Sequence, residues 1–99
     1  MAYENLPLSF NETEHRFEME IEGQQAFIDY KKSGNKIYLV HTEVAESMEG
    51  KGVAAALVNK TFHYLEEHHL QLVPLCSYVQ HYLHKHPEWN KLLAEEQVD

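Results

Sequence analysis

A single thiol, a histidine near the end of a strand and two glycines at the mouth of a helix are the residues of this chain best placed to do chemistry. Gly50 and Gly52 follow an acidic loop and open a long amphipathic segment. Glycines there bare the first-turn N–H groups, which lack an internal partner and carry the positive end of the helix dipole. Such a turn suits phosphate; the competing reading is a tight turn that only starts the helix. Cys76 follows a short apolar run at the head of a second helix, a position that favours thiolate. It reads either as a nucleophile or as a small buried hydrophobe. His41 lies near the end of the third strand, where an imidazole suits proton removal near neutrality or simply satisfies a strand hydrogen bond. Tyr78 and Tyr82 are phenols able to give up a proton, or packing residues of the second helix.

These groups need elements to hold them. Residues 1–13 show no period and read as a loose arm. Phe17, Met19 and Ile21 alternate with charged neighbours, which predicts a half-buried strand over residues 15–22. Gly23-Gln24 predicts a turn, residues 25–32 a second strand, and Ser33-Gly34-Asn35 another turn. Residues 36–44 form a third strand whose nearly continuous apolar centre suggests cover on both faces. A helix follows from about Gly50 to His69, with Ala54, Leu57, Val58, Thr61, Phe62 and Leu65 at helical spacing. Residues 70–75 read as a short strand, parallel to the third because a strand–helix–strand crossover makes it so. Ser77 to Lys85 reads as a second helix broken by His86-Pro87, and residues 88–96 as a final helical turn or two. Fold class is thus α/β with a mixed sheet, within one domain over residues 1–99.

Two motifs resemble the GNAT superfamily of N-acetyltransferases. Its acyl-CoA signature, [QR]-x-x-G-x-[GA] after a strand, is met by Glu49-Gly50-Lys51-Gly52-Val53-Ala54, with Glu49 where Gln or Arg is usual. His41-Thr42-Glu43-Val44 and Cys76-Ser77-Tyr78-Val79-Gln80-His81-Tyr82 look like the very small GNAT-like proteins, in which a truncated fold is the whole protein. The likeness spans roughly residues 14–90. It implies that the parallel strands splay apart and that main-chain groups of Thr42, Glu43 and Val44 hold a pantetheine arm. It further implies that Gly50, Lys51, Gly52, Val53, Ala54 and Ala55 hold the pyrophosphate. Placement on the second helix would bring Lys85, with His81 and His84, to the cofactor's outer phosphate, and Tyr78 to its departing thiolate. Cys76 and His41 would be the catalytic candidates, and acetyl-CoA the cofactor. Larger members wall the acceptor side with N-terminal helices; an open side suits a large amine acceptor, such as a protein lysine or N-terminus. The rival implication is a non-catalytic module that binds CoA or a partner protein on the same scaffold.

Composition bounds these readings. The net charge of −8, with only eight basic residues, argues against a nucleic-acid surface. No apolar run approaches the roughly 20 residues that span a bilayer. The N-terminus lacks the pattern of an export signal, so a cytoplasmic protein is expected, monomeric or weakly dimeric. One cysteine excludes an internal disulfide. The eight histidines lack metal-ligand spacing, and no metal is expected.

Overall fold

The computed structural model describes Tyr3 and residues 5–94. Five strands form one sheet in the order β1-β2-β3-β4-β5. β2 (Arg16–Ile21) buries Phe17, Met19 and Ile21, and β3 (Gln24–Ser33) buries Ala26 and Ile28, so period-two alternation sets the covered face. Ile21 pairs with Gln24, which places the turn on Glu22-Gly23, one residue ahead of Gly23-Gln24. Both turn residues have positive φ, 51° and 79°, as a type I′ hairpin turn requires. The supposedly loose arm contributes β1 (Ser9–Asn11), antiparallel to β2, with Phe10 against Phe17 and Tyr64.

β4 (Lys36–Val44) is an interior strand, between β3 and the edge strand β5, but among the described residues it is covered on one face alone. Ile37 and Leu39 are buried, Tyr38 is half-buried and Val40 is exposed, which corrects the expectation of cover on both faces. Its apolar run records a single buried face with an apolar fringe. A short 3₁₀ turn (Glu46–Met48) then leads to α1 (Val53–Glu67), which lays Val53, Leu57, Val58, Thr61 and Leu65 into the core. Thr61 is fully buried and returns its hydroxyl to the Leu57 carbonyl at 2.8 Å. The crossover ends in β5 (Gln71–Pro74), parallel to β4, and α2 (Ser77–Lys85) packs beside it.

After α2 the chain makes a 3₁₀ segment (Pro87–Leu92) that buries Trp89 and Leu92, with Trp89 edge-on to Phe62. Leu93 is exposed and bridges to Leu72. Glu95 and Glu96, at the end of the expected final helix, lie outside the described residues. No helix among the described residues is long and apolar enough to cross a membrane. Among the described residues the outcome is two layers: helices cover one sheet face and the other is open.

Candidate functional site

β4 and β5 pair only from Lys36↔Gln71 to Leu39↔Pro74, while β4 runs on to Val44. Two local causes end the pairing there. Pro74 has no N–H to give to a ladder. On the other edge of β4, Asp29 pairs with His41 but Tyr30 with Leu39, leaving Val40 as an extra, bulged residue. A bulge bends and twists its strand, and this one lies where β4 runs on past its β5 partner. The fork closes at the Leu39 carbonyl, which accepts N–H bonds from both Leu75 (3.0 Å) and Cys76 (2.9 Å). A notch results, with the edge of β4 at residues 41–44 on one side and the start of α2 on the other. Pro74 was the sequence signal for this fork; the Val40 bulge had none.

Opposed residues of an antiparallel pair share a face. Thr42 lies opposite buried Ile28 and so points to the helix side, where its hydroxyl is 3.3 Å from Cys76 Sγ. His41 lies opposite Asp29 and Glu43 opposite Phe27, on the open face. There the His41 imidazole Nε2 is 3.2 Å from a Glu43 carboxylate oxygen, and both side chains are more than half exposed. The Phe27 ring stands edge-on to His41 and carries the Arg16 guanidinium 3.9 Å over its centre. Arg16 is held charged by its hydrogen bond to Asp29 at 2.7 Å, despite partial burial. Cys76 and His41 therefore flank the notch from opposite faces of the sheet. Cys76 is the N-cap of α2, whose first residue is Ser77, and it is 7% exposed.

From the end of β4 the chain leads through the 3₁₀ turn into the glycine turn that opens α1. Gly52 is the N-cap of α1, and it and Gly50 both have φ of 80°, a left-handed conformation that glycine adopts without a Cβ penalty. A Cβ built on either would meet nothing within 4 Å, so the main chain faces open space. The first amide to reach a carbonyl four residues back is Ala56, bonded to Gly52 at 3.1 Å. The amides of Val53, Ala54 and Ala55 precede it and have no helix carbonyl to reach. Lys51 and Glu49 are exposed at this turn. An open cradle of oriented amides with a cation beside it fits a diphosphate.

Tyr78 sits half-buried on the first turn of α2, and burial raises its phenol above the ordinary range, so it stays protonated. Tyr82 is also raised by burial, but its hydroxyl accepts from Asn59 Nδ2 (3.2 Å) on α1, which ties it to the helix pair. Lys85, His81 and His84 are exposed on α2, and Lys85 is the last residue of that helix. At about 1.5 Å of rise per residue, Lys85 stands far along the helix from Cys76. Among the described residues, no three His, Cys, Asp or Glu side chains converge as metal ligands.

The family model for GCN5-related N-acetyl-transferases matches residues 16–92, from the start of β2 through the C-terminal 3₁₀ segment. Among solved structures, the chain is similar to a GCN5-like protein from Staphylococcus aureus, determined by NMR in solution. The two share 25% identity at a TM-score of 0.69, over 95% of this chain and 93% of that one. The matched region contains both parallel strands, the glycine turn and Cys76, which are the parts that build the notch. With the fold, the fork and the sequence pattern in agreement, this chain belongs to the GCN5-related N-acetyltransferase family of acyl-CoA-dependent acetyltransferases.

Proposed function

We propose that the protein binds acetyl-CoA at the β4–β5 notch and transfers the acetyl group to an amine presented from the open face of the sheet. The observation that carries this reading is the fork itself. The β4 edge beyond Leu39 lacks a β5 partner, and it leads to a glycine turn whose amides face open space. Thr42, Glu43 and Val44 offer main-chain groups to a pantetheine arm, and Gly50 through Ala55 hold its diphosphate. Acetyl-CoA supplies an activated thioester. A β4 amide polarises the thioester carbonyl, and this donor is fixed before the substrate arrives. The notch opens on both faces, so the acceptor nitrogen approaches from the side that carries His41 and Glu43. His41 takes the proton released by the amine, with Glu43 holding the ring.

Cys76 is packed against Thr42 and nearly closed to solvent, an arrangement that suits positioning the departing thiol better than holding the acyl group. Tyr78, kept protonated by burial, returns a proton to that thiolate. The open face is unroofed and bears Glu18, Glu20 and Glu43, which suits an amine on a large, cationic acceptor such as a protein lysine.

Release of free thiol from acetyl-CoA, with a lysine-rich peptide as acceptor, tests the transfer. The notch is tested separately by iodoacetamide labelling of Cys76, the chain's single cysteine. Saturating CoA is expected to slow the labelling. Unchanged labelling in the presence of bound CoA would place the cofactor elsewhere.

A further inference from the structure

Beside the notch, the open face of the sheet carries an apolar strip. Leu72 and Cys76 are buried, so by period-two alternation Val73 and Leu75 fall on the open face. Tyr38 pairs with Val73 in the parallel ladder and shares that face. The bulge adds the fourth member. Leu39 is fully buried and Thr42 points to the helices, yet Val40 and His41 between them are both exposed. A regular strand would have turned one of the two inward. Val40 is left 37% and Leu75 56% exposed. Val40 directly precedes His41 and Leu75 directly precedes Cys76, so the strip reaches the fork along both of its arms.

We propose that this strip selects the acceptor: it receives a large apolar residue directly beside the reacting lysine of a polypeptide, an inference that rests on the transfer reading above. A lysine whose amine reaches His41 from the open face lays its neighbouring residues over the sheet next to the fork. Toward β5 they meet Val40 and Leu75. Toward β2 they meet Glu18, Glu20 and Glu43, while Asp29 is already paired with Arg16 at 2.7 Å. The face is thus apolar on one side of the fork and acidic on the other. That combination fits a basic segment with an aliphatic or aromatic residue next to its lysine. A second copy of this chain fits poorly: at a net charge of −8, a copy laid over the same face brings a second set of these carboxylates to the first. Half-covering a leucine on the strip is expected to favour such an acceptor about five- to tenfold.

Two peptides with blocked N-termini test the assignment. Each carries a single lysine and terminal arginines; the lysine is flanked on both sides by leucine in one peptide and by glycine in the other. Thiol release from acetyl-CoA gives kcat/KM for each, and the leucine peptide is expected to lead by about five- to tenfold. Val40→Asp and Leu75→Asp set a carboxylate into the strip, and each should bring the two peptides to within about twofold of each other. Both positions are exposed, so the fold should persist, which circular dichroism verifies, and the wild-type comparison needs no variant. Equal rates for the two peptides on the wild type overturn the strip and leave the transfer standing. So does a preference that survives both variants. A wild type that sediments as a dimer, and as a monomer once Leu75→Asp is made, puts a second copy on the strip and overturns the assignment as well. Thiol release with neither peptide removes the transfer reading itself, and the acceptor selection with it.

Discussion

Glu49 stands at the position where the family pattern carries Gln or Arg, and the structure leaves its side chain exposed at the glycine turn. Its backbone N–H is occupied by the Glu46 carbonyl at 3.2 Å, so the main-chain geometry does not depend on the carboxylate. A negative charge beside a helix N-terminus opposes an incoming diphosphate. Glu49→Arg is therefore expected to tighten CoA binding roughly two- to fivefold, the effect of a charge of about 0.3–1 kcal/mol at a helix end. The gain should shrink as salt is raised, because an exposed charge is screened within about 10 Å at 0.1 M. Calorimetry at two ionic strengths reads both effects. A loss of affinity would assign Glu49 a positive part in the turn. Glu49 and the buried Cys76 also show how far residue types alone reach. Both were legible as members of a motif, but that Cys76 faces Thr42 while His41 looks out of the opposite face needed the strand register.

Among the elements, the β2–β3 hairpin is built at odds with its own sequence. Glu22 takes φ of 51° at the first position of a two-residue turn, a conformation that costs a residue with a Cβ about 1–2 kcal/mol. Asparagine adopts it more readily, and Asn-Gly is the favoured pair for this turn type. Glu22→Asn is expected to stabilise the fold by about 0.5–1 kcal/mol. Chemical denaturation checks this: the midpoint should rise with an unchanged slope. The mutation touches neither the notch nor the apolar strip, so CoA affinity should stay as it is. The same hairpin explains a misplaced boundary. Gly23 signalled a turn, but glycine serves either central position, and only the Ile21↔Gln24 pairing shows that it is the second.

At the scale of the whole molecule, three phenols share one signature. Tyr30, Tyr78 and Tyr82 all hold their protons above the ordinary tyrosine range, burial being the leading cause in each. In the unfolded chain the same groups titrate near 10. The folded state thus keeps protons that the unfolded state releases. This contribution is fully present below about pH 10 and is lost as pH rises through the raised folded values. Thermal unfolding followed from pH 9 upward, about a unit below that range, should show Tm falling once pH 10 is passed. Tyr82→Phe should soften the fall, at a cost near neutrality of about 0.5–1.5 kcal/mol for the lost bond with Asn59. An equally steep fall in that variant would mean that Tyr82 takes no part.

By itself the sequence determined the elements and their order. Alternation in β2 and β3, helical spacing along α1 and the turn glycines are local properties, readable wherever one face must be buried. The crossover rule then made β5 parallel to β4, and two short motifs pointed to the family. What only the tertiary structure decided depends on contacts between distant segments. β1 has no period because three residues cannot show one; it exists because Phe10 finds Phe17 and Tyr64. The apolar run of β4 looked covered on both faces because residue types do not say whether a second layer exists. The fork arises where the Val40 bulge, set by register with β3, meets the absence of a donor at Pro74. The apolar strip is assembled from β4 and the end of β5, and adjacency of that kind is written in no single stretch of chain.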